Sequence, residues 1–342
     1  METVLVTGGA GYIGSVMVGE LLKKGYQVKV MDRMFFGHQT IDAYKSDSNF
    51  ELIQDDIRYF DGKILNGVDT VIDMAGISND PACDLEPRVT TSINHKGCVR
   101  VAELAKKMGV GRYIFSSSCS VFGDTESGKL TEDAPKHPVS LYAKTKLEAE
   151  KDILSLADDN FCVTVLRNAT VYGLSPRMRF DLVVNVMTMH AWKNRRILVL
   201  GGGKQWRPNV HIKDVAKAFI LTMKADKAKV NGQIFHAGSN EQNHQVLQIA
   251  NMVRDVIPYV EVEIVPEDPD KRNYNVCFDK IREVLGYRVE RTVHEGIVEI
   301  KQALENGVID PEDVRTMTVK YYEYLLKAER ILKEVSYRGR VF

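Results

Sequence analysis

Tyr142 and Lys146 stand four residues apart in the run Ser140-Leu141-Tyr142-Ala143-Lys144-Thr145-Lys146. Four residues is about one helical turn, so the two side chains share a face. A free tyrosine titrates near ~10 and is a poor base at neutral pH. A neighbouring ammonium, or a positively charged cofactor ring, stabilises the phenolate and lowers that value. Tyr142 could then take a hydroxyl proton while hydride leaves the same carbon. Alone, such a spacing more often marks a solvated helix face. Its company reverses that weighting: a strand read at 112–116 runs into Ser116-Ser117-Ser118-Cys119-Ser120-Val121-Phe122-Gly123. That polar run falls at the carboxyl edge of a sheet, where ligands bind in open α/β folds. A serine hydroxyl there can hold a substrate oxygen near Tyr142.

The hydride acceptor is read at the other end of the chain. The strand Val4-Leu5-Val6-Thr7 leads into Gly8-Gly9-Ala10-Gly11-Tyr12-Ile13-Gly14 and then a helical pattern. Strand, glycine turn and helix in that order form the dinucleotide fingerprint. The turn glycines admit a pyrophosphate, Gly14 allows close helix–sheet packing, and the helix N-terminus offers free N–H groups. The next strand ends at Asp32, whose carboxylate can accept both ribose hydroxyls and repels a 2′-phosphate, favouring NAD over NADP. Arg33 beside it is the one residue that could receive that phosphate. The bland alternative is a tight turn and a surface aspartate.

Short apolar runs at 3–7, 27–31, 50–53, 70–74, 112–116 and 163–166 alternate with helical patterns at 13–24, 91–108 and 140–156. Strands alternating with helices predict βαβ units and a parallel sheet. Continuous apolar strands fit a sheet covered on both faces. The expected fold class is α/β, a Rossmann-type doubly wound parallel sheet with a smaller, mostly helical substrate-binding lobe. The expected organisation is an NAD-binding domain over 1–173 with later returns near 210–238, a lobe over 174–310 and a helical tail over 311–342. The lobe carries helical patterns at 181–193, 213–225, 245–256 and 293–305. Its loops gather arginine and proline at 175–180, 206–211 and 266–274. The tail has no role assignable from sequence.

Lys plus Arg number 46 and Asp plus Glu 46, so no global field favours nucleic acid or an anionic membrane. No basic segment precedes a long apolar run, and no stretch approaches the roughly 20 apolar residues that span a bilayer. Cys83, Cys98, Cys119, Cys162 and Cys277 are scattered and odd in number, without metal-type spacing. The expectation is a reduced, cytoplasmic protein with no metal site.

With these motifs in place, the sequence resembles the extended short-chain dehydrogenase/reductases, the NAD-dependent epimerase/dehydratase group. The likeness runs to about Ala303 and rests on 7–14, Asp32, Asp56-Ile57-Arg58, 73–76, Asn94, 116–123 and the Tyr142/Lys146 pair. It implies that Gly8, Gly11, Tyr12, Ile13, Gly14, Asp32, Asp56, Ile57, Ala75, Gly76, Asn94, Tyr142 and Lys146 bind NAD. In particular, Asp56 and Ile57 flank the adenine, and Lys146 holds the nicotinamide ribose. It makes Ser118 the catalytic hydroxyl beside Tyr142 and Lys146, and Ser118 and Ser120 sugar contacts. Asn185, Arg207 and Arg272 would surround the diphosphate of a nucleotide-sugar substrate, with Arg179 a further substrate contact, arginine suiting phosphate because its planar fork pairs bidentately. Solvated loop charges are the default alternative. Sugar-nucleotide 4,6-dehydratases of this group carry Asp-Glu where this chain has Cys119 and Ser120, which argues against water elimination. A second departure is Thr170-Val171-Tyr172-Gly173, where the family usually has asparagine first. Together these features look most like bacterial sugar-nucleotide C4 oxidoreductases, including GDP-heptose C4-dehydrogenases.

The implied activity is NAD-dependent oxidation or reduction at C4 of a nucleotide-diphosphate sugar, by an epimerase or a C4 dehydrogenase or ketoreductase. Two other classes stay open: a non-catalytic NAD-binding scaffold or sensor, and a dehydrogenase of a small non-nucleotide substrate. The resemblance also implies a homodimer through the helices at 94–108 and 140–156, with Val101 and Leu154 as available apolar residues.

Overall fold

The computed structural model describes residues 1–267, 270 and 272–341, with backbone alone at 126 and 127. Seven parallel strands form its central sheet: β1 (Thr3–Thr7), β2 (Gln27–Asp32), β3 (Phe50–Gln54), β4 (Thr70–Asp73), β5 (Arg112–Ser118), β6 (Cys162–Asn168) and β7 (Gln233–Ala237). Their order in space is β3-β2-β1-β4-β5-β6-β7. The chain therefore winds one way from β1 to β3 and the other way from β4. Strands β1, β5 and β6 are almost wholly buried, as runs such as Val4-Leu5-Val6 require when both faces are covered. Two apolar cores lie on the two faces. One includes Val4, Val6 and Phe219, the other Leu5, Val71 and Phe115, the alternation that a strand's two-residue period imposes.

The helices serving the site are α1 (Tyr12–Lys23), α2 (Asp80–Leu85), α3 (Cys98–Lys107) and α4 (Leu141–Leu154); beyond them lie α5 (Val183–Asn194), α6 (Ile212–Lys224), α7 (Val246–Val256), α8 (Val293–Glu305) and α9 (Thr318–Val335). Helix α4 starts where Ser140 Oγ accepts from Ala143 N–H at 3.2 Å, an N-cap. The pattern at 91–108 is not one regular helix. A π-helical segment, Ser92–Gly97, precedes α3. Its wide turn lets Asn94 accept from Ile77 N–H at 2.8 Å and donate to Ile77 O at 2.9 Å. Such bulges recur at functional sites.

The chain from Thr170 onward includes more strand than the helical reading allowed. Thr170–Tyr172, Trp206–His211 and Asn243–Gln245 form a three-stranded sheet, and Arg196–Val199 pairs with Glu261–Ile264. These strands are only three to six residues long, too short for periodicity to separate them from loop. Val101, expected at a partner's disposal, is fully buried in the chain's own core, whereas Leu154 is only partly covered.

One buried ion pair fastens α4 to the sheet. Arg167 on β6 donates to Glu150 on α4, with Nη2 to Oε2 at 2.7 Å, and both side chains are at most 2% exposed. Glu150 also accepts from Ser117 Oγ. Glu150→Ala leaves the guanidinium buried without its carboxylate, keeping only the Glu132 carbonyl at 2.9 Å, which should cost about 3–5 kcal/mol. Denaturant unfolding of the variant reads that loss.

Candidate active site

The topology places the cleft. Sheet order reverses between β1 and β4, and the crevice above their carboxyl ends is where open α/β folds take ligands. Gly8 has φ +67°, and a Cβ there would meet Ala75 N and Cα at 2.8 Å. A Cβ on Gly14 would meet Gly8 O at 2.2 Å. The loop therefore closes only with hydrogen at both positions, bringing Gly8 against the 74–75 backbone and the first turn of α1, at Gly14, onto Gly8 and Gly9. Gly8, Gly11, Tyr12, Ile13, Gly14, Ala75 and Gly76 all line the cleft.

Asp32 closes one end. Its Oδ2 accepts from Ala10 N–H at 3.0 Å and its Oδ1 from Met34 N–H at 2.7 Å. Burial pushes its carboxyl up, opposed by those two donors. Each oxygen keeps a lone pair for a ribose hydroxyl. Arg33 turns toward Asp56, Nε to Oδ2 at 3.6 Å, and lies over Phe35. Asp56 is itself taken by Arg58 through Nε at 3.0 Å and Nη2 at 2.7 Å. Burial raises the Asp56 carboxyl, but Arg58 draws it below the usual carboxylate range. Asp56 and Ile57 line the cleft. These residues fit a dinucleotide: a side-chain-free phosphate turn, a free helix N-terminus and a carboxylate at the ribose end.

At the other end the sheet edge and α4 meet. Tyr142, Lys146, Ser118 and Ser120 line the same cleft. Lys146 Nζ donates to Ser116 O at 2.8 Å and lies 4.6 Å from the Phe115 ring centroid. Ser118 Oγ accepts from Ser120 N–H at 3.1 Å, and Ser118 acts on the Tyr142 phenol in the direction that favours its ionised form. Ser120 Oγ is buried with no partner among the described residues. The Tyr142 phenol departs from the expected lowering. Burial pushes it well above the ordinary tyrosine range, Asp80 and Cys83 add to the rise, and Arg179 and Ser118 oppose it. Desolvation of the phenolate outweighs the groups around it that favour ionisation.

The arginines divide. Arg179 and Arg272 line the cleft; Arg207 and Asn185 do not. Arg179 pairs with Asp181, Nε to Oδ1 at 2.8 Å, and donates to Ser78 Oγ at 3.0 Å. Arg272 pairs with Asp270, Nε to Oδ1 at 2.8 Å, and with Asp80, Nη1 to Oδ2 at 2.9 Å. Arg207 sits behind it, donating to Arg272 O and pairing with Asp270 at 3.0 Å. Asn185 is buried in a knot, accepting from Gly173 N–H at 3.1 Å and donating to Tyr12 Oη at 3.0 Å. Asn94 likewise reaches the site through Ile77 and stays out of the lining. In the run 266–274, residues 268, 269 and 271 lie outside the described residues.

Sequence reasoning missed Arg177, Asp80, Phe36 and Tyr322, all of which line the cleft. Arg177 was visible only as one charge in an arginine cluster. Tyr322 carries no motif at all, because its place depends on where the tail packs.

Gly14→Ala should weaken NADH binding by more than roughly tenfold, measured by cofactor fluorescence, since the new methyl has no room beside Gly8 O. The sign for Tyr142 follows from burial: the protonated phenol is favoured in the fold, so its titration moves upward. A difference titration of phenolate absorbance, wild type minus Tyr142→Phe, should show no added ionisation below the ordinary value of 10.0 in the protein alone. Ionisation below it would contradict the burial argument.

The chain is similar along most of its length to known proteins. The chain is 28% identical over 336 residues to the UDP-glucose 4-epimerase of Corynebacterium glutamicum, covering 90% of this chain and 97% of that protein. It is 26% identical over 308 residues to UDP-glucuronic acid decarboxylase 1 of Danio rerio, covering 86% and 71%. The solved UDP-glucose 4-epimerase of Thermotoga maritima, with UDP-glucose, superposes with a TM-score of 0.79 at 25% identity, covering 90% of this chain and all of that one. A dTDP-glucose 4,6-dehydratase from Streptomyces venezuelae, solved with NAD, gives 0.79 at 25% identity over 90% of this chain and 99% of its own. The family model described as the NAD dependent epimerase/dehydratase family matches residues 4–238, most of the chain, and the protein belongs to that family.

Proposed function

We propose that this enzyme oxidises and reduces C4 of a nucleotide-diphosphate sugar on bound NAD, with Tyr142 as proton acceptor and donor. The observation that carries the reading is the meeting of Tyr142, Ser118 and Lys146 in one cleft with the glycine loop at one end and Arg179 and Arg272 beside it. Bound NAD supplies the hydride acceptor. Asp32 would hold the adenosine ribose, Asp56 and Ile57 would flank the adenine, and the N-terminus of α1 would receive the pyrophosphate. Lys146, whose Nζ donates to Ser116 O, would hold the nicotinamide ribose.

Ser118 donates to the C4 oxygen and Tyr142 takes the C4 hydroxyl proton as the hydride departs. The raised phenol gives this step its physical condition. A phenolate in so buried a place needs a cation beside it, which the oxidised cofactor ring provides. Ser120, whose buried hydroxyl has no partner among the described residues, would hold a sugar hydroxyl. Arg179 and Arg272 take the diphosphate. Arg207 and Asn185 serve as positioning residues, the first behind Arg272 and the second between Tyr12, Gly173 and Arg179.

Residues 1–173 with the returns near 210–238 then form the cofactor domain, and 174–310 the sugar-nucleotide lobe. The reading includes a homodimer across α3 and α4. It also includes a cytoplasmic setting, supported by five unpaired cysteines. Among the described residues no helix is long and apolar enough to cross a membrane.

A panel of UDP-, GDP- and dTDP-sugars incubated with the NAD-loaded enzyme tests this, read as NADH absorbance and as the C4 configuration of recovered sugar. One class of nucleotide sugar should reduce the bound cofactor or emerge as its C4 epimer. Tyr142→Phe should abolish that reaction and keep NAD binding. Near-normal turnover by Tyr142→Phe would sink the mechanism.

A further inference from the structure

The C-terminal helix α9 is not anchored as a core element. Of its residues only Thr318 is buried, and Ile331, Leu332 and Val335 are about half exposed. What holds it is the rim of the cleft, through its first turns. Tyr321 Oη donates to Phe35 O at 2.8 Å. The Tyr322 ring meets Phe35 edge-on at 6.0 Å and Phe36 at 5.7 Å. Phe35 and Phe36 lie on the segment that leaves Asp32, so the helix is tied to the ribose end of the site. On the other side α9 contacts α2, which carries Asp80. Tyr322 and Thr318 themselves line the cleft with Asp32 and the glycine loop. The influence of the Asp32 carboxylate on the Tyr322 phenol agrees with that placement.

Arg177 gives an independent indication. It is 4% exposed, its guanidinium lies 3.7 Å from the Phe36 ring centroid, and Nη2 donates to Thr318 Oγ1 at 3.0 Å. Its Nε and Nη1 are buried with no partner among the described residues. Buried charged donors left unpaired are costly, so a site built this way is built for an acceptor. Arg177 lines the cleft, and an anion that the proposed function would bring there is the cofactor's pyrophosphate, to be received by the glycine loop, whose Tyr12 O accepts from Ser175 Oγ at 2.8 Å.

We propose that α9 is a strap that completes the dinucleotide site, with Tyr322 covering the adenosine half of the cofactor and the Thr318–Arg177 pair engaging its pyrophosphate. The proposal rests on the reading of NAD as the bound hydride carrier. A strapped cofactor does not exchange at each turnover. The hydride taken from C4 is then returned to C4 of the same sugar, which restores NAD in place and favours epimerisation over release of a ketone.

The test uses the full-length chain without sugar. NADH-loaded protein is mixed with excess NAD and release is followed by fluorescence. Tyr322→Ala and Arg177→Gln should each speed release by about tenfold or more, equivalent to ~1.4 kcal/mol. Lys327→Ala, exposed on the same helix, should stay within about twofold. Circular dichroism and Tm of the cofactor-free proteins check folding; if Tyr322→Ala does not fold, Tyr322→Leu replaces it, keeping bulk and losing the aromatic face. Release rates unchanged in the folded Tyr322 variant overturn the strap. Because no sugar is present, a failed nucleotide-sugar panel leaves this measurement intact, and a failed strap leaves the panel intact.

Discussion

Two backbone segments meet at Gly8 and Ala75 with no side chain between them, and the rest of the site is laid out from that contact. With a Cβ at Gly8 only 2.8 Å from the Ala75 backbone, the first loop and the fourth strand's exit could not share one crevice. Their approach brings the N-terminus of α1 beside the 74–76 turn and leaves the open edge of the sheet on either side for the two halves of a dinucleotide. Asp32 stands on one side and the Ser116–Ser118 edge on the other. The reversal of strand order supplies the crevice, and hydrogen in place of a methyl lets it close.

Buried charges then orient what the crevice receives. Glu150 joins Arg167 and Ser117, so α4 is held in a fixed rotation against β5 and β6, and Tyr142 and Lys146 face the serine run. Asp73 ties Thr7, at 2.5 Å, and Tyr113 below the crevice floor. These groups build direction more than stability, since a buried pair returns little beyond its desolvation cost while losing one partner is expensive. The same burial acts on Tyr142 with the opposite consequence for chemistry. It holds the phenol in its protonated form, so in the proposed mechanism proton transfer would wait on a cation beside Tyr142.

The arginines are arranged in advance. Arg179 rests on Asp181 and Arg272 on Asp270 and Asp80, so each guanidinium is oriented and partly neutralised. Burial pushes the Arg177 guanidinium down to about 10, with Arg179 adding to the fall. It is the one of the three with buried, unpaired donors among the described residues. Paired arginines exchange carboxylate for phosphate oxygens at modest cost, whereas an unpaired one gains outright.

The sequence by itself determined the local parts. Its glycine loop, continuous apolar strands, Asp32 at a strand end and Tyr142/Lys146 at helical spacing are all short-range patterns, and each fixes an element or a face within about one turn or one strand. From these came the family and the hydride chemistry. Only the tertiary structure decided what depends on distant segments meeting. Arg207 and Asn185 became supports and not lining, because Arg272 and Tyr12 stand in front of them. Val101 turned inward to the core. Short strands past Gly173 formed because partners far along the chain were present to pair with them. The tail found the cleft through Phe35, Phe36 and Arg177, residues some 140 to 290 positions away, and no local period records a contact that long-range packing alone creates.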